Sequence, residues 1–158
     1  SEPAGTISAV NDIAVSSDAS LTINEDSVAL SSNTITIDID NNNAAGFDVE
    51  ATSTNEGFLY LSGASVAGDK IKYTLACTAG TTNTNLGGDG TAITGMAATF
   101  LSAAATAFTV TDPSSATDTD EADGGSLTCT YAAHGENTAG ANFSGEYSDT
   151  ITFEIANK

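Results

Sequence analysis

Apolar and polar residues alternate with a period of two along much of this chain, which is the pattern of strands with one buried and one wet face. The clearest case is Thr34-Ile35-Thr36-Ile37-Asp38-Ile39-Asp40, where isoleucines alternate with threonine and aspartate. Phe47-Asp48-Val49-Glu50-Ala51 alternates again after the turn cluster Asn41–Gly46, and the spacing predicts a hairpin between the two runs. Earlier, Ile7, Ala9, Ile13 and Val15 fall on one face of an extended segment that Asn11 interrupts, and Ser16-Ser17-Asp18 reads as a hinge. Short runs at Leu21–Ile23 and Val28–Leu30 follow, each bounded by polar turns.

Beyond the central turn, Phe58–Leu61, Lys70–Leu75, Phe108–Thr111 and Leu127–Tyr131 are further strands. In the last run, Tyr147, Asp149, Ile151, Phe153 and Ile155 share a face, and Asp149 is expected near the strand's start, where solvent reaches it. Residues 78–95 read as a long exposed connection. Met96–Ala107 stays open: its alanines suit a short helix, while Thr99, Phe100 and Leu101 suit a strand. About eight to ten strands without a fixed repeat predict an all-β, immunoglobulin-like antiparallel β-sandwich. Residues 1–18 form an N-terminal extension, a candidate donor strand with its hinge, and residues 19–158 form the sandwich domain.

Composition narrows the functions. Twenty-one acidic residues stand against three lysines and no arginine, for a formal net charge of -18. Such a chain has no basic patch with which to replace phosphate counterions, so nucleic acid is excluded as a partner, and anionic membrane surfaces are disfavoured. No apolar stretch approaches the roughly 20 residues that span a bilayer, so no direct membrane insertion is expected. The start Ser1-Glu2-Pro3-Ala4-Gly5 is small and polar, as expected after removal of an export signal, and predicts a secreted protein.

Catalysis is poorly provisioned, and no enzyme activity is expected. The single histidine, His134, lies in a glycine-flanked loop, and no nucleophile motif or phosphate-binding loop accompanies it. Cys77 and Cys129 lie in strand-like runs with nothing nearby to complete a metal site. A disulfide is the better reading, with two buried thiols as its alternative. Asp118, Asp120 and Asp123 in the acidic segment Asp118–Gly125 offer hard oxygen ligands at alternating positions. They read either as a calcium site or as a solvated acidic loop. No other cofactor is implied. Asn142-Phe143-Ser144 is a glycosylation sequon, a three-residue signal. Lys70 and Lys72 are in a strand and read as surface lysines rather than as partners in an internal isopeptide crosslink.

The N-terminal segment supports two readings. Folded back, it is the first strand of its own sheet. Extended, it adds to an open edge of the next copy through main-chain hydrogen bonds and alternate apolar side chains.

Several blocks of sequence carry a resemblance. Gly46-Phe47-Asp48-Val49, Ser53-Thr54-Asn55-Glu56-Gly57-Phe58-Leu59, Ile71-Lys72-Tyr73-Thr74-Leu75 and Gly145-Glu146-Tyr147-Ser148-Asp149-Thr150-Ile151-Thr152-Phe153 follow one another in the order seen in secreted proteins that resemble spore coat protein U and archaic chaperone-usher pilins. The resemblance spans residues 20–156 at scattered positions. It implies a sandwich lacking one strand, completed after secretion by the N-terminal segment of a neighbour, with Ile7, Ala9, Ile13 and Val15 as donor residues. It also implies a homopolymer, with a secretion chaperone and usher as assembly partners. The cysteines and the long acidic loop depart from that pattern. The expected role is a structural subunit of an extracellular filament or pilus for adhesion or biofilm cohesion. The alternative is a monomeric secreted module that binds glycan or calcium.

Overall fold

The computed structural model describes residues 11–15, 20–25, 34–41, 43–61, 70–78, 92–111, 125–134 and 146–158. The described chain is all β: β1 (Asn11–Val15), β2 (Ser20–Glu25), β3 (Thr34–Asn41), β4 (Phe47–Ser53), β5 (Phe58–Leu61), β6 (Lys70–Thr78), β7 (Ala92–Thr99), β8 (Ala105–Thr111), β9 (Gly125–Ala133) and β10 (Tyr147–Asn157). Every strand pairing is antiparallel. One layer runs β1-β3-β9-β6, and the other runs β2-β10-β4-β8. The inward positions of both layers form one core, with Ile37, Leu75 and Leu127 from the first facing Val49, Phe108 and Phe153 from the second.

Two strands stitch the layers together. β7 pairs with β8 through Ala92–Gly95 and then with β6 through Met96 and Thr99, so a single strand passes from one layer to the other. Gly95 sits at the crossing, where a Cβ would lie 2.1 Å from the Cys77 carbonyl oxygen, so only glycine lets the two backbones approach this closely. β5 does the same at the opposite end, pairing with β6 on one side and with the first residues of β10 on the other. Among the described residues, the remaining edges belong to β1 and β2. β1 borders β3, and β2 borders β10.

The hairpin expected between β3 and β4 does not form: β3 pairs with β1 and β9, while β4 pairs with β10 and β8 in the other layer. The turn itself directs the chain across. Asn41 Oδ1 accepts from the Asn43 amide at 2.9 Å, and Asn41 Nδ2 donates to Asn157 Oδ1 at 2.8 Å, tying the end of β3 to the end of β10. Gly46 completes the arch at φ 91°, with its carbonyl accepting from Asn43 Nδ2 and from the Lys158 amide. Alternation reports which face of each run is buried, and that is the same for a hairpin and for an arch between layers.

One further expectation changes and one open reading is decided. The connection placed at residues 78–95 ends sooner, because β7 begins at Ala92. Met96–Ala107 is no helix: it holds the end of β7, a bend at Ser102–Ala103 and the start of β8, with Leu101 buried. The Val28–Leu30 run lies outside the described residues.

Cys77 and Cys129 are joined, and they face each other in the register of β6 and β9 with Cα atoms 4.0 Å apart. The bridge therefore links neighbouring strands of one layer and does not tie the two layers to each other. It closes a separation of 52 residues, which contributes about 4 kcal/mol in the chain-entropy account. Replacing both cysteines by serine is expected to lower the unfolding free energy by about that amount in a denaturant titration. Two alkylatable thiols in native material, or an unchanged unfolding midpoint in the double variant, would contradict the assignment.

Candidate functional site

Three of the four sequence blocks that carry the resemblance meet at one buried carboxylate. Asp149, expected within reach of solvent, is 3% exposed. The correction has a physical cause: β10 is flanked at this height by β2 and β5, and the turn after β4 folds over it. One carboxylate oxygen accepts from the backbone amides of Asn55 at 3.0 Å and Thr150 at 2.8 Å. The other accepts from Ser53 Oγ and from the Tyr73 hydroxyl, each at 2.5 Å. All four donors are neutral. Together they fill the hydrogen-bonding capacity of an ionised carboxyl group, which is what allows a charge to be buried without a cation.

The turn at Thr54–Gly57 is shaped for this purpose. Glu56 and Gly57 both have positive φ, at 55° and 89°, which brings the Gly57 amide onto Ser53 Oγ at 2.8 Å. The Gly57 carbonyl in turn accepts from the Tyr73 amide at 3.1 Å, and a Cβ on Gly57 would lie 2.3 Å from the Phe100 ring. Asn55 Nδ2 also donates to the Ser148 carbonyl at 3.2 Å. Burial pushes the Tyr73 hydroxyl above its ordinary 10.0, and the adjacent Asp149 adds to this by its charge and its hydrogen bond. Ser53 acts weakly in the opposite sense. The core packs around this network, which makes it a structural lock. The signal available in the sequence was an aspartate at an apolar position of a strand, opposite a tyrosine-bearing run.

A second cluster is on the outside of β5 and β6. Lys70 Nζ lies 4.1 Å from the centroid of Phe58, and Lys72 Nζ lies 4.3 Å from that of Phe100. The two rings meet edge to face at 5.3 Å, and His134 approaches Phe100 at 6.2 Å while its amide donates to the Lys72 carbonyl. Tyr60, 43% exposed, extends the same strand face. The lysines expected as plain surface residues are thus held over aromatic rings.

The remaining expected site residues divide simply. Ile13 and Val15 are in β1, paired in register with Ile39 and Ile37 of the same chain. Ile7, Ala9, Asp118, Asp120, Asp123 and Asn142 lie outside the described residues. Among the described residues, no three His, Cys, Asp or Glu side chains come together as a metal-sized group, and no helix is long and apolar enough to cross a membrane. No protein-family model, curated protein or solved structure matches the chain.

The lock carries a definite alkaline signature. Below pH about 10, Tyr73 is protonated in both the folded and the unfolded chain; above it, the unfolded chain gives up a proton that the folded chain keeps. The unfolded state then binds fewer protons, so stability is fully present below the unfolded value and is lost as pH rises, at up to about 1.4 kcal/mol per pH unit. Unfolding of Tyr73→Phe measured across pH 9 to 12 is expected to lack this slope. Asp149→Ala, which strands both hydroxyls and both amides, is expected to cost about 3 kcal/mol or more at neutral pH. Parallel alkaline profiles for the wild type and Tyr73→Phe would rule the lock out.

Proposed function

We propose that the chain is a structural subunit of an extracellular filament, related to the spore coat protein U and archaic pilin proteins it resembles, and that β1 is the exchangeable strand. The observation that carries this reading is the position of β1. It is an edge strand near the N-terminus, its only strand partner among the described residues is β3, and it is separated from β2 by just residues 16–19. Its five-residue register, Asn11↔Asn41 to Val15↔Ile37, is available equally to the β3 of a second copy. Exchange in trans regenerates the same backbone pairing, which is why swapping a terminal element is a low-cost route to assembly. Donor and acceptor are different surfaces on each copy, so when each copy gives its strand to the next instead of trading it with a single partner, the contact is head to tail and propagates.

Two other features support the setting. The Cys77–Cys129 disulfide suits an oxidising compartment outside the cytosol. A net charge of -18 keeps free subunits apart until a directional contact forms. A secretion chaperone covering the β3 edge before assembly, with an usher, is the partner set the resemblance implies.

Electron microscopy and sedimentation of the full chain test the proposal. Ile13→Asp sets a charge in register with buried Ile39 and is expected to abolish filaments while the monomer stays soluble. A synthetic peptide of residues 5–16 in excess is expected to cap growth and shorten filaments. Filaments of unchanged length from Ile13→Asp would show that β1 stays on its own β3 and that strand exchange is not the mode of assembly.

A further inference from the structure

β1 and β2 are consecutive in the chain but belong to different layers. β1 borders β3 in one layer, β2 borders β10 in the other, and only residues 16–19 join them. Four residues give a reach of about 17 Å at full stretch, and facing layers lie about 10 Å apart, so this connection crosses between layers with little to spare. Residues 26–33, between β2 and β3, are eight, with a reach of about 30 Å. A layer of four strands is about 19 Å wide at the usual strand spacing, so the second connection can pass the width of a sandwich and the first cannot.

This contrast decides what one copy can give to the next. If β1 crossed to a second copy while β2 stayed on its own β10, the second copy's β3 would have to lie within about 17 Å of the first copy's Thr152. Two β3 edges held that close trade their β1 strands with each other, and a reciprocal trade closes as a dimer. Resting on the strand exchange proposed above, we infer that β1 and β2 move together, as one unit of residues 11–25, and that its two seats on the next copy are β3 and the Tyr147–Thr152 half of β10. The registers suit a joint seat. Ile13 and Val15 stand opposite buried Ile39 and Ile37, and Leu21 stands opposite buried Ile151. The unit restores five register positions on β3 and six on β10, where β1 alone would restore only the five. The acceptor is also ready-made. The donors that hold Asp149 come from β10 itself, the turn after β4 and β6, and the disulfide joins β6 to β9, so neither tie uses β1 or β2. When β2 leaves, β10 keeps its pairing with β4 and β5, and a seat fixed in advance costs less to fill.

Engineered disulfides in the full chain test the joint exchange. Ala14→Cys/Asp38→Cys marks the β1–β3 register and Thr22→Cys/Thr150→Cys the β2–β10 register, while the chain's own two cysteines are already joined. Each variant is assembled in mild reductant, oxidised, and separated in denaturant without reductant, with peptide mapping of the sulfurs that are joined. Both pairs are expected to give a ladder of covalent multimers. Oxidising the Thr22→Cys/Thr150→Cys monomer before assembly is expected to abolish filaments, and reducing it to restore them, because a pinned β2 holds β1 at home. Filaments from the pinned monomer overturn the joint exchange, and so does a ladder from the β1 pair beside internally bridged monomers from the β2 pair; both leave exchange of β1 alone standing. Internally bridged monomers from both pairs, or a wild-type chain without filaments, overturn strand exchange itself. Covalent dimers and nothing larger from both pairs uphold the joint unit and overturn its head-to-tail order. Ser20→Cys/Thr152→Cys, in the same register, carries the test where the first β2 pair does not fold.

Discussion

A buried carboxylate is a demand on the rest of the fold. Asp149 is placed by β10 among apolar neighbours, and without a cation beside it the group is tolerable only if every lone pair is met. Four donors from three places meet that demand: Thr150 on the same strand, Ser53 and Asn55 in the turn after β4, and Tyr73 on β6. The consequence is geometric. β4 and β10 belong to one layer and β6 to the other, so satisfying a single side chain fixes the separation of the two layers and the path of the chain between β4 and β5. The positive φ at Glu56, a conformation that a side chain with a Cβ adopts at a cost, is explained in the same way: it lets Gly57 reach both Ser53 and β6.

The layers are also joined at the far end, by other means. There β7 changes partners at Gly95, and the disulfide stiffens the β6–β9 pair against which it packs. One end of the sandwich is thus held by polar satisfaction and the other by covalent linkage and close backbone approach. Between them the large buried side chains Phe47, Phe108, Phe153 and Tyr147 supply the hydrophobic term, each contributing on the order of 1.5 to 3 kcal/mol. β1 and β2 lie at the outer edges of the described layers, each paired with one strand.

How much of this was legible in the sequence depended on whether the information was periodic. β3, β4, β6 and β10 alternate strictly because one face of each meets the core, and their buried residues could be read off by parity. β7 was hidden because a strand that changes layers also changes which face is inward: Ile93 and Met96 both pack on the core although three residues apart. The arch after β3 was mistaken for a hairpin because the decisive bond, Asn41 to Asn157, spans most of the chain. Asp149 was misplaced for a related reason. Parity put it on the inner face correctly, but its donors come from residues distant in sequence, and nothing local announces them. The same four donors bring the blocks Ser53–Leu59, Ile71–Leu75 and Gly145–Phe153 to one carboxylate in the folded chain.

The distribution of constraint bears on assembly. A strand can leave its sheet cheaply only where no lock depends on it, and among the described residues β1 has a single strand partner while Asp149 and Cys77–Cys129 tie other strands together. Acidity then acts as the control. A net charge of -18 opposes indiscriminate edge-to-edge pairing, the usual hazard of an exposed strand, while leaving in place short-range contacts that are specific in shape or sign. Ties at both ends of the sandwich and charge spread over the surface are both compatible with the proposed exchange of β1. In the proposed assembly the locks would keep the core intact while β1 exchanges, and the charge would oppose a partner that lacks the matching register.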